Sequence, residues 1–381
     1  LHSRTHFGNE PRRERTHFGN EPRRERTHFW GWVGSILSIV VNSVFPFGGR
    51  RATLNVMETT RQTQSYLRSL FTQQGIAPRR ALGQNFLIDL NLHDLIVKTA
   101  EVGPGDVILE IGPGAGALTS LMAARGAAVV AAELDPAMAR LTGEAVAGLS
   151  NVRVLNVDAL ETKNRLNPQV LDSVRSALAA ARAGGIERTF KLVANLPYNV
   201  ATPVISNLLV HPELCPSRMV VTIQRELAER MVAEPTEPEY GALSVTVQAL
   251  SDVEIVRILP PSVFWPRPKV DSAIVSIIPN AAKRAEVGDV PWFHQVVRRS
   301  FLHRRKNLRH VLAGIWKGQW DKTEVDTLLE SLGFEGQLRA EALNVEEFVA
   351  IARALKERWG SFPDASGGRD ETEHIDDAPV H

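Results

Sequence analysis

The stretch DVILEIGPGAG, residues 106–116, joins an apolar run to a cluster of glycines. The run has the aliphatic composition of a strand that is buried on both faces. Glycines placed directly after such a strand allow a tight turn and a close approach of the backbone to a ligand, and a helix begins after them. The stretch therefore predicts one strand–turn–helix unit of a parallel α/β sheet, with a ligand near the turn.

The same alternation of short apolar runs and helical segments continues on the C-terminal side. It predicts four more strands of the same sheet, at 127–133, 152–157, 190–195 and 218–224. Three later runs are separated by turns too short for helical crossovers, at 242–250, 253–259 and 272–278. Since only antiparallel strands can be joined by short turns, we expect these runs to form an antiparallel edge.

Polar residues stand at the carboxyl ends of the predicted strands, where ligands bind in such sheets. Glu133 ends the second strand, Asp158 ends the third and Asn195 ends the fourth. A carboxylate about 20 residues after a glycine turn suits the hydroxyls of a ribose, although a solvated acid at a strand end is the simpler alternative. Together with the glycines, these residues predict a pocket for a nucleoside.

Two classes of nucleoside ligand fit this pattern. A dinucleotide would call for the spacing G-x-G-x-x-G, whereas this turn reads G-x-G-x-G and offers fewer backbone donors to a pyrophosphate. S-adenosylmethionine carries no phosphate and needs an acid for its ribose and a polar group for its adenine. The sequence favours S-adenosylmethionine.

The two ends of the chain differ from the rest in composition. Residues 1–56 hold nine Arg and four Glu, with RTHFGNEPRRE repeated unchanged at 4–14 and 15–25 and an apolar run at 30–47. We interpret 1–56 as a disordered or mis-annotated extension before a start at Met57, the alternatives being a membrane anchor or a targeting segment. Residues 361–381 hold six acids and one Arg, and we expect an acidic, disordered tail. The single cysteine, Cys215, excludes an intramolecular disulfide and a cysteine-based metal site, and no metal is expected.

From about Arg79 to about Leu355, the chain resembles the ribosomal RNA adenine N6,N6-dimethyltransferases. The resemblance depends on seven motifs in order: GQNFL (83–87), EIGPGAGALT (110–119), ELD (133–135), VDAL (157–160), NLPYN (195–199), PPSVFWPRPKVDSAIV (260–275) and SFLHRRKNLRHVL (300–312). It implies a Rossmann-like class I methyltransferase sheet, within residues 57–285, and a smaller all-helical RNA-binding domain at 286–360.

The resemblance also implies roles for individual residues. Asn85 and Leu87 would cover the methionine end of S-adenosylmethionine, with Gly112 beneath it. Glu133 would hold the ribose hydroxyls and Asp158 the adenine amine. The expected catalytic and cofactor-binding residues are thus Asn85, Leu87, Gly112, Glu133, Asp158, Asn195, Leu196, Pro197, Tyr198 and Phe264.

The NLPY motif suits methyl transfer to the exocyclic amine of a base, whose lone pair is delocalised into the ring. An Asn195 side-chain oxygen and a backbone carbonyl around Leu196 could accept its two N–H bonds and direct the lone pair, while Pro197 fixes the backbone without adding a donor. Tyr198 offers a ring face for the base, and we expect Phe264 to supply the opposing face.

A dense basic segment lies between residues 292 and 312, with three His and no acid. As a helix pair it would bury its apolar residues (Val296, Val297, Phe301, Leu308 and Val311) and turn its cations outward. Since the family uses this region to contact RNA, the expected RNA-binding residues are Arg298, Arg299, Arg304, Arg305, Lys306 and Arg309. A solvated basic face is the alternative.

The resemblance implies dimethylation of two adjacent adenosines near the 3′ end of small-subunit (16S) ribosomal RNA, within a pre-ribosomal particle. We expect a cytoplasmic monomer with no stable membrane partner. The alternatives are a large-subunit ribosomal RNA adenine methyltransferase that confers antibiotic resistance, and a non-catalytic nucleic-acid-binding relative. The crossover between Asp158 and Asn195 is longer than the family leads us to expect, and its middle part reads as a helix that ends at Gly185.

Overall fold

The computed structural model describes residues 62–79, 82–163, 165–183, 189–302, 306–315, 322–335 and 337–360. Its strands are β1 (Phe86–Leu87), β2 (Asp106–Ile111), β3 (Ala128–Glu133), β4 (Val152–Asn156), β5 (Leu160–Thr162), β6 (Arg165–Leu166), β7 (Thr189–Asn195), β8 (Arg218–Gln224), β9 (Ser251–Leu259), β10 (Phe264–Trp265) and β11 (Ser272–Pro279). Its helices are α1 (Gln64–Gln73), α2 (Leu90–Thr99), α3 (Ala117–Ala124), α4 (Pro136–Ala145), α5 (Pro168–Ala183), α6 (Ala201–Val210), α7 (Arg225–Val232), α8 (Ala242–Leu250), α9 (Ala281–Val287), α10 (Val290–Phe301), α11 (Leu308–Ile315), α12 (Lys322–Ser331) and α13 (Val345–Trp359).

Seven strands form one sheet in the order β4-β3-β2-β7-β8-β11-β9. The five from β4 to β8 are parallel, and β11 pairs antiparallel with both β8 and β9. The predicted α/β sheet with an antiparallel edge is therefore confirmed. The chain moves outward from β2 through β3 to β4, then returns to β7 on the other side of β2. This reversal opens a crevice at the carboxyl ends of β2 and β7, where ligands bind in such folds.

Helix starts follow the capping chemistry of the sequence. Asp135 caps α4 by accepting a hydrogen bond from the Ala137 backbone N–H, with Pro136 in the first turn. At α13, Asn344 and Glu347 form a capping box. These caps fix where α4 leaves the end of β3 and where the last helix begins.

The prediction of a strand at 242–250 is wrong, because this run forms the helix α8. Its β-branched composition favours a strand, but seven of its residues are buried, so apolar side chains face the core around most of the helix. An apolar run without a polar face cannot be assigned to helix or strand by periodicity. The packing of α8 between α7 and the C-terminal helices stabilises the helical conformation of this run.

The C-terminal helices pack through the apolar residues that the sequence indicated. The side chains of Val296, Val297, Phe301, Leu308 and Val311 are all buried. In the long crossover, β5 and β6 form a small hairpin before α5, and the expected helix end at Gly185 lies outside the described residues. None of the helices in the described ranges combines the length and the hydrophobicity needed to cross a bilayer.

The expectations for residues 1–56 and for the acidic tail at 361–381 fall outside the described residues. The same holds for Arg304 and Arg305 of the basic segment.

Candidate functional site

The glycine turn after β2 borders a cavity at the crevice between β2 and β7. Gly112, Gly114 and Gly116 all have positive φ angles, of 73°, 60° and 79°. A Cβ atom on Gly112 would lie 3.0 Å from Cδ and Cγ of Pro197, and one on Gly114 would lie 2.8 Å from a ring carbon of Phe86. The turn therefore needs glycine both for its backbone conformation and for its close contacts.

Glu133 lies at the end of β3, beside the glycine turn. Its two carboxylate oxygens accept hydrogen bonds from the backbone N–H groups of Gly114, at 3.2 Å, and Asp135, at 3.0 Å. The side chain is 7% exposed, and burial raises the pKa of its carboxyl while these N–H groups oppose the shift. The bonds hold the carboxylate in place next to the turn, at the edge of the cavity.

Asp158 also lines the cavity, two strands away from β2. It follows β4, and its Oδ1 accepts a hydrogen bond from the Leu160 backbone N–H at 2.9 Å. Because β4 and β3 are neighbours in the sheet, Asp158 and Glu133 lie side by side along the cavity.

The GQNFL segment covers the cavity from the opposite side. Gln84 donates from Nε2 to Asp135, at 3.0 Å, and accepts a hydrogen bond from the Arg79 backbone N–H, at 2.7 Å. Asn85 and Leu87 both line the cavity. The amide of Gln84 thus ties this segment to the start of α4.

Helix α1 completes the cover, which the motifs did not indicate. Leu67 and Phe71 pack in one apolar cluster with Ala115 of the glycine turn. Gln62, just before α1, donates from Nε2 to the Ala115 carbonyl at 2.9 Å and lines the cavity. An amphipathic pattern at 64–73 was the available signal, but it could not show which surface the helix covers.

Asn195, at the end of β7, faces the GQNFL segment. Its Nδ2 donates to the Asn85 backbone carbonyl at 2.9 Å. Because this bond fixes the amide orientation, the side-chain oxygen is left available as an acceptor at the cavity wall.

The rest of the NLPY motif forms a rigid turn after Asn195. The Leu196 backbone N–H donates to the Thr222 carbonyl at 3.1 Å, and its side chain is buried. Pro197 lies against Gly112 and precedes a 3-10 turn at Tyr198–Val200. The Tyr198 hydroxyl forms a hydrogen bond of 2.8 Å with the Ser272 hydroxyl, and burial raises the pKa of the phenol. The turn thus places an amide, a proline and a phenol ring along one wall.

The expectation that Phe264 offers an open ring face is wrong for this structure. Phe264 is 1% exposed, packs in the apolar cluster that contains Leu87 and Ile274, and does not line the cavity. The reason is the alternation of β10, which pairs with β1 and turns Phe264 to the core while Trp265 faces the other way. Trp265 instead packs against Phe71 of α1.

Two buried polar residues of the cavity wall were missed by the sequence reasoning. Glu110, in β2, is 2% exposed and accepts a 2.6 Å hydrogen bond from the Thr119 hydroxyl, and burial raises its carboxyl pKa to about 8. His93, in α2, is 6% exposed, and burial lowers its pKa to about 4. Both had a signal: Glu110 interrupts an apolar strand, and His93 stands on the apolar stripe of α2 with Ile96 and Val97.

The predicted RNA-binding residues have different environments. Lys306 is exposed, whereas Arg298 and Arg299 are partly buried at the end of α10. Arg309 forms a 3.0 Å ion pair with Asp326 of α12. Of the cations expected to face outward, Lys306 does so, whereas Arg298, Arg299 and Arg309 are only partly exposed.

The charges of the cavity test which ligand fits. Among the described residues that line it are three acids, Glu110, Glu133 and Asp158, and neither Lys nor Arg. A pyrophosphate would meet the carboxylates of Glu133 and Asp158 without a compensating cation, which is unfavourable in a partly buried site. S-adenosylmethionine, with a sulfonium and an ammonium against one carboxylate, carries a net positive charge and fits this wall.

Known proteins resemble the chain over most of its length. The family model described as "Ribosomal RNA adenine dimethylase" matches residues 76–356. Proteins named ribosomal RNA small subunit methyltransferase A are 40% identical in Pelotomaculum thermopropionicum, covering 79% of this chain and 97% of the relative, and 37% identical in Moorella thermoacetica, covering 76% and 96%.

The fold is also shared with a solved structure. A dimethyladenosine transferase from Plasmodium falciparum superposes with a TM-score of 0.57 at 24% identity, covering 71% of this chain and 97% of that one. This likeness confirms the expected Rossmann-like methyltransferase fold. By its sequence and its relatives, the chain belongs to the ribosomal RNA adenine dimethylase family.

Proposed function

We propose that the protein transfers methyl groups from S-adenosylmethionine to N6 of two adjacent adenosines near the 3′ end of small-subunit (16S) ribosomal RNA. The observation that carries this proposal is the contact between the glycine turn and the NLPY turn, where Gly112 and Pro197 leave no room for a Cβ. A cofactor over the first turn and a base over the second would then meet at one point. Such proximity supplies much of the rate of a transfer between bound partners.

The order of the strands supports a matching order for the three parts of the cofactor along the cavity. Asp158 at β4 would take the adenine amine, Glu133 at β3 the ribose hydroxyls, and the end toward β2 and β7 would take the methionine moiety, beneath Asn85 and Leu87. When bound, S-adenosylmethionine supplies a methyl group on a sulfonium sulfur.

Asn195 would orient the acceptor amine of the RNA base. Its Nδ2 is held by the Asn85 carbonyl, so its side-chain oxygen is the atom that can accept an N–H bond from N6. A backbone carbonyl around Leu196 would accept the second N–H, and the lone pair would then point toward the cofactor. No general base is required, because the amine attacks as a neutral group and its proton leaves to water.

Tyr198 would stack on the flipped adenine. Its hydroxyl is held by Ser272, which fixes the ring at the cavity wall. Stacking on an aromatic ring contributes about 1–3 kcal/mol per base, comparable with the cost of extruding a base from RNA structure. With Phe264 buried, this proposal depends on one ring face rather than two.

The helical part at 286–360 is proposed as the RNA-binding domain, with the methyltransferase domain at 57–285. Lys306, Arg298 and Arg299, together with Arg304 and Arg305 of the same segment, would contact phosphates. Since Arg309 pairs with Asp326, its first role would be to hold α11 against α12. Contacts of this kind give binding that weakens steeply with salt.

The substrate follows from the named relatives, which are small-subunit enzymes. We propose a pre-ribosomal small-subunit particle in the cytoplasm as the target, and a monomer as the active form. Large-subunit methylation and RNA binding without catalysis are the competing functions.

The test is transfer of labelled methyl groups from S-adenosylmethionine by the purified full-length protein. Small-subunit particles that lack the modification should be labelled at two adjacent adenosines, each as N6,N6-dimethyladenosine, and large-subunit particles should not. Labelling of large-subunit RNA instead, or cofactor binding without any transfer, would contradict the assignment.

The role of Asn195 is tested by Asn195→Ala, with Asn207→Ala as the matched control. Asn207 on α6 also donates its amide to a backbone carbonyl, that of Pro203, but lies outside the cavity wall. Asn195→Ala should bind the cofactor and lose transfer by about 10²-fold or more, the scale seen when one oriented polar contact to a transition state is removed. Equal activity of the two variants would remove Asn195 from the mechanism.

A further inference from the structure

Asn199 is the second amide of the NLPYN motif, and the proposed function gives it no role. It does not cap the helix that follows, because α6 begins after Val200 without a side-chain hydrogen bond. Its own amide forms no hydrogen bond within the described part of the chain. Asn199 is exposed and lines the cavity, so its amide is accessible to a group that enters from solvent.

The amides of Asn195 and Asn199 lie against the same short segment of the cover. Nδ2 of Asn195 donates to the Asn85 carbonyl at 2.9 Å, and Nδ2 of Asn85 donates to the Gly83 carbonyl at 3.1 Å. Oδ1 of Asn199 lies 3.8 Å from the position of a Cβ on Gly83. The two amides therefore lie on one rim of the cavity, on either side of Tyr198 along the chain. A base stacked on Tyr198 would have one edge near both amides.

The Watson–Crick edge of adenine has two polar groups side by side, the N6 amine and the ring nitrogen N1. The amine donates hydrogen bonds, whereas N1 only accepts them. Bases that are flipped out of a helix are recognised along this edge. An asparagine amide offers both an acceptor oxygen and a donor nitrogen. With the Asn195 oxygen assigned to N6, the group that remains to be recognised needs a donor, which the amide of Asn199 can supply.

We propose that Asn199 donates a hydrogen bond from Nδ2 to N1 of the target adenine, beside the Asn195 oxygen that accepts from N6. This inference rests on the proposed function and adds a second contact to its recognition of the base. Guanine has an acceptor oxygen in place of the amine and an N–H at N1, so the pair of amides complements adenine and opposes guanine.

The test measures methyl transfer to small-subunit particles reconstituted with RNA whose 3′ segment is synthetic. The two target positions carry adenosine, 1-deazaadenosine, which has C–H in place of N1, or 7-deazaadenosine, which keeps N1. Each variant is compared with the unmodified full-length protein on the same RNA, so that any change in the reactivity of the amine cancels.

Asn199→Ala should slow transfer to adenosine about tenfold, the scale of one neutral hydrogen bond. It should slow transfer to 7-deazaadenosine by the same factor and leave transfer to 1-deazaadenosine unchanged. Asn199→Asp, which keeps an oxygen but has no N–H donor, should lose at least as much as Asn199→Ala on adenosine. S-adenosylmethionine affinity and urea unfolding should both be unchanged by Asn199→Ala, because the side chain has no internal hydrogen bond to lose.

Asn91→Ala is the matched control. Asn91 is also an exposed asparagine, but it lies on α2, outside the cavity wall. This variant should transfer methyl groups to all three RNAs as the unmodified protein does.

The outcomes separate this inference from the proposed function. Normal transfer by Asn199→Ala, or an equal loss on adenosine and 1-deazaadenosine, would overturn the contact with N1 while the unmodified protein still labels the particles. Weaker binding of S-adenosylmethionine by Asn199→Ala would overturn it too, by assigning Asn199 to the cofactor. If the unmodified protein labels no small-subunit particle, the proposed function fails, and this inference fails with it.

Discussion

Gly112→Ala tests the contact between the cofactor turn and the NLPY turn. Gly112 has φ of 73°, a left-handed conformation that costs an L-residue about 1–2 kcal/mol. The added Cβ would also lie 3.0 Å from two ring carbons of Pro197, and overpacking of this kind costs about 1–3 kcal/mol. We therefore expect the free energy of unfolding to fall by about 2–5 kcal/mol, and methyl transfer to fall sharply because Pro197 carries the adjacent Asn195 with it.

Gly148→Ala separates the two causes. Gly148 has φ of 91° and nothing within 4 Å of an added Cβ, so this variant should lose only the conformational part, about 1–2 kcal/mol. Its transfer rate should stay at that of the unmodified protein. Both stabilities are measured by urea unfolding, and cofactor affinity and transfer are measured on the same preparations.

A double-mutant cycle completes the measurement. Pro197→Ala removes the two ring carbons that the new Cβ would meet, so Gly112→Ala should cost less stability in that background than alone. Equal losses for Gly112→Ala and Gly148→Ala, with normal transfer in both, would refute the reasoning that this contact couples the two turns.

Three further predictions concern polar side chains that are buried or partly buried. Glu110→Gln should flatten the pH dependence of stability. Because the carboxyl pKa is about 8 in the folded state against 4.5 in the unfolded chain, the native protein keeps a proton that the unfolded chain releases, and stability falls between pH 4.5 and 8 by at most about 1.4 kcal/mol per pH unit. Urea unfolding of the Gln variant across this pH range should lack that fall. Lys191→Met should lower the free energy of unfolding, measured with urea, by about 3–5 kcal/mol, because it leaves the buried carboxylate of Asp106 without its 2.9 Å ion-pair partner. A loss below about 1 kcal/mol would mean that the remaining hydrogen bonds of Asp106 are enough to stabilise its buried charge. Tyr198→Phe keeps the ring but loses the hydroxyl contact with Ser272, so transfer should slow only a few-fold, as in Ser272→Ala, and a complete loss of transfer would assign the hydroxyl a part in the chemistry.

The sequence by itself determined the five parallel strands of the sheet and which residues stand at their carboxyl ends. Strand and helix patterns depend on local sequence, and the residues after each parallel strand must meet at one edge, so the sequence alone predicts that Gly112, Glu133, Asp158 and Asn195 lie close together. The caps at Asp135 and Asn344 also depend on local sequence, because capping is a contact within a few residues.

Local patterns failed where burial on all sides removed the periodic signal. The run at 242–250 became a helix because its surroundings bury it on most sides, and β-branched composition alone could not show that. Phe264 turned into the core because β10 pairs with β1, a contact between segments far apart in the chain.

Only the tertiary structure decided how the site is held. The bond from Asn195 to the Asn85 carbonyl, the contact between Gly112 and Pro197, and the arrival of His93 at the cavity all join residues from different elements. Sequence spacing fixes which residues share a strand end or a helix face, whereas the direction of an amide and the partner of a buried imidazole depend on what packs across from them. For this protein, the chain's patterns determined the pocket's chemistry, and packing between distant elements determined its geometry.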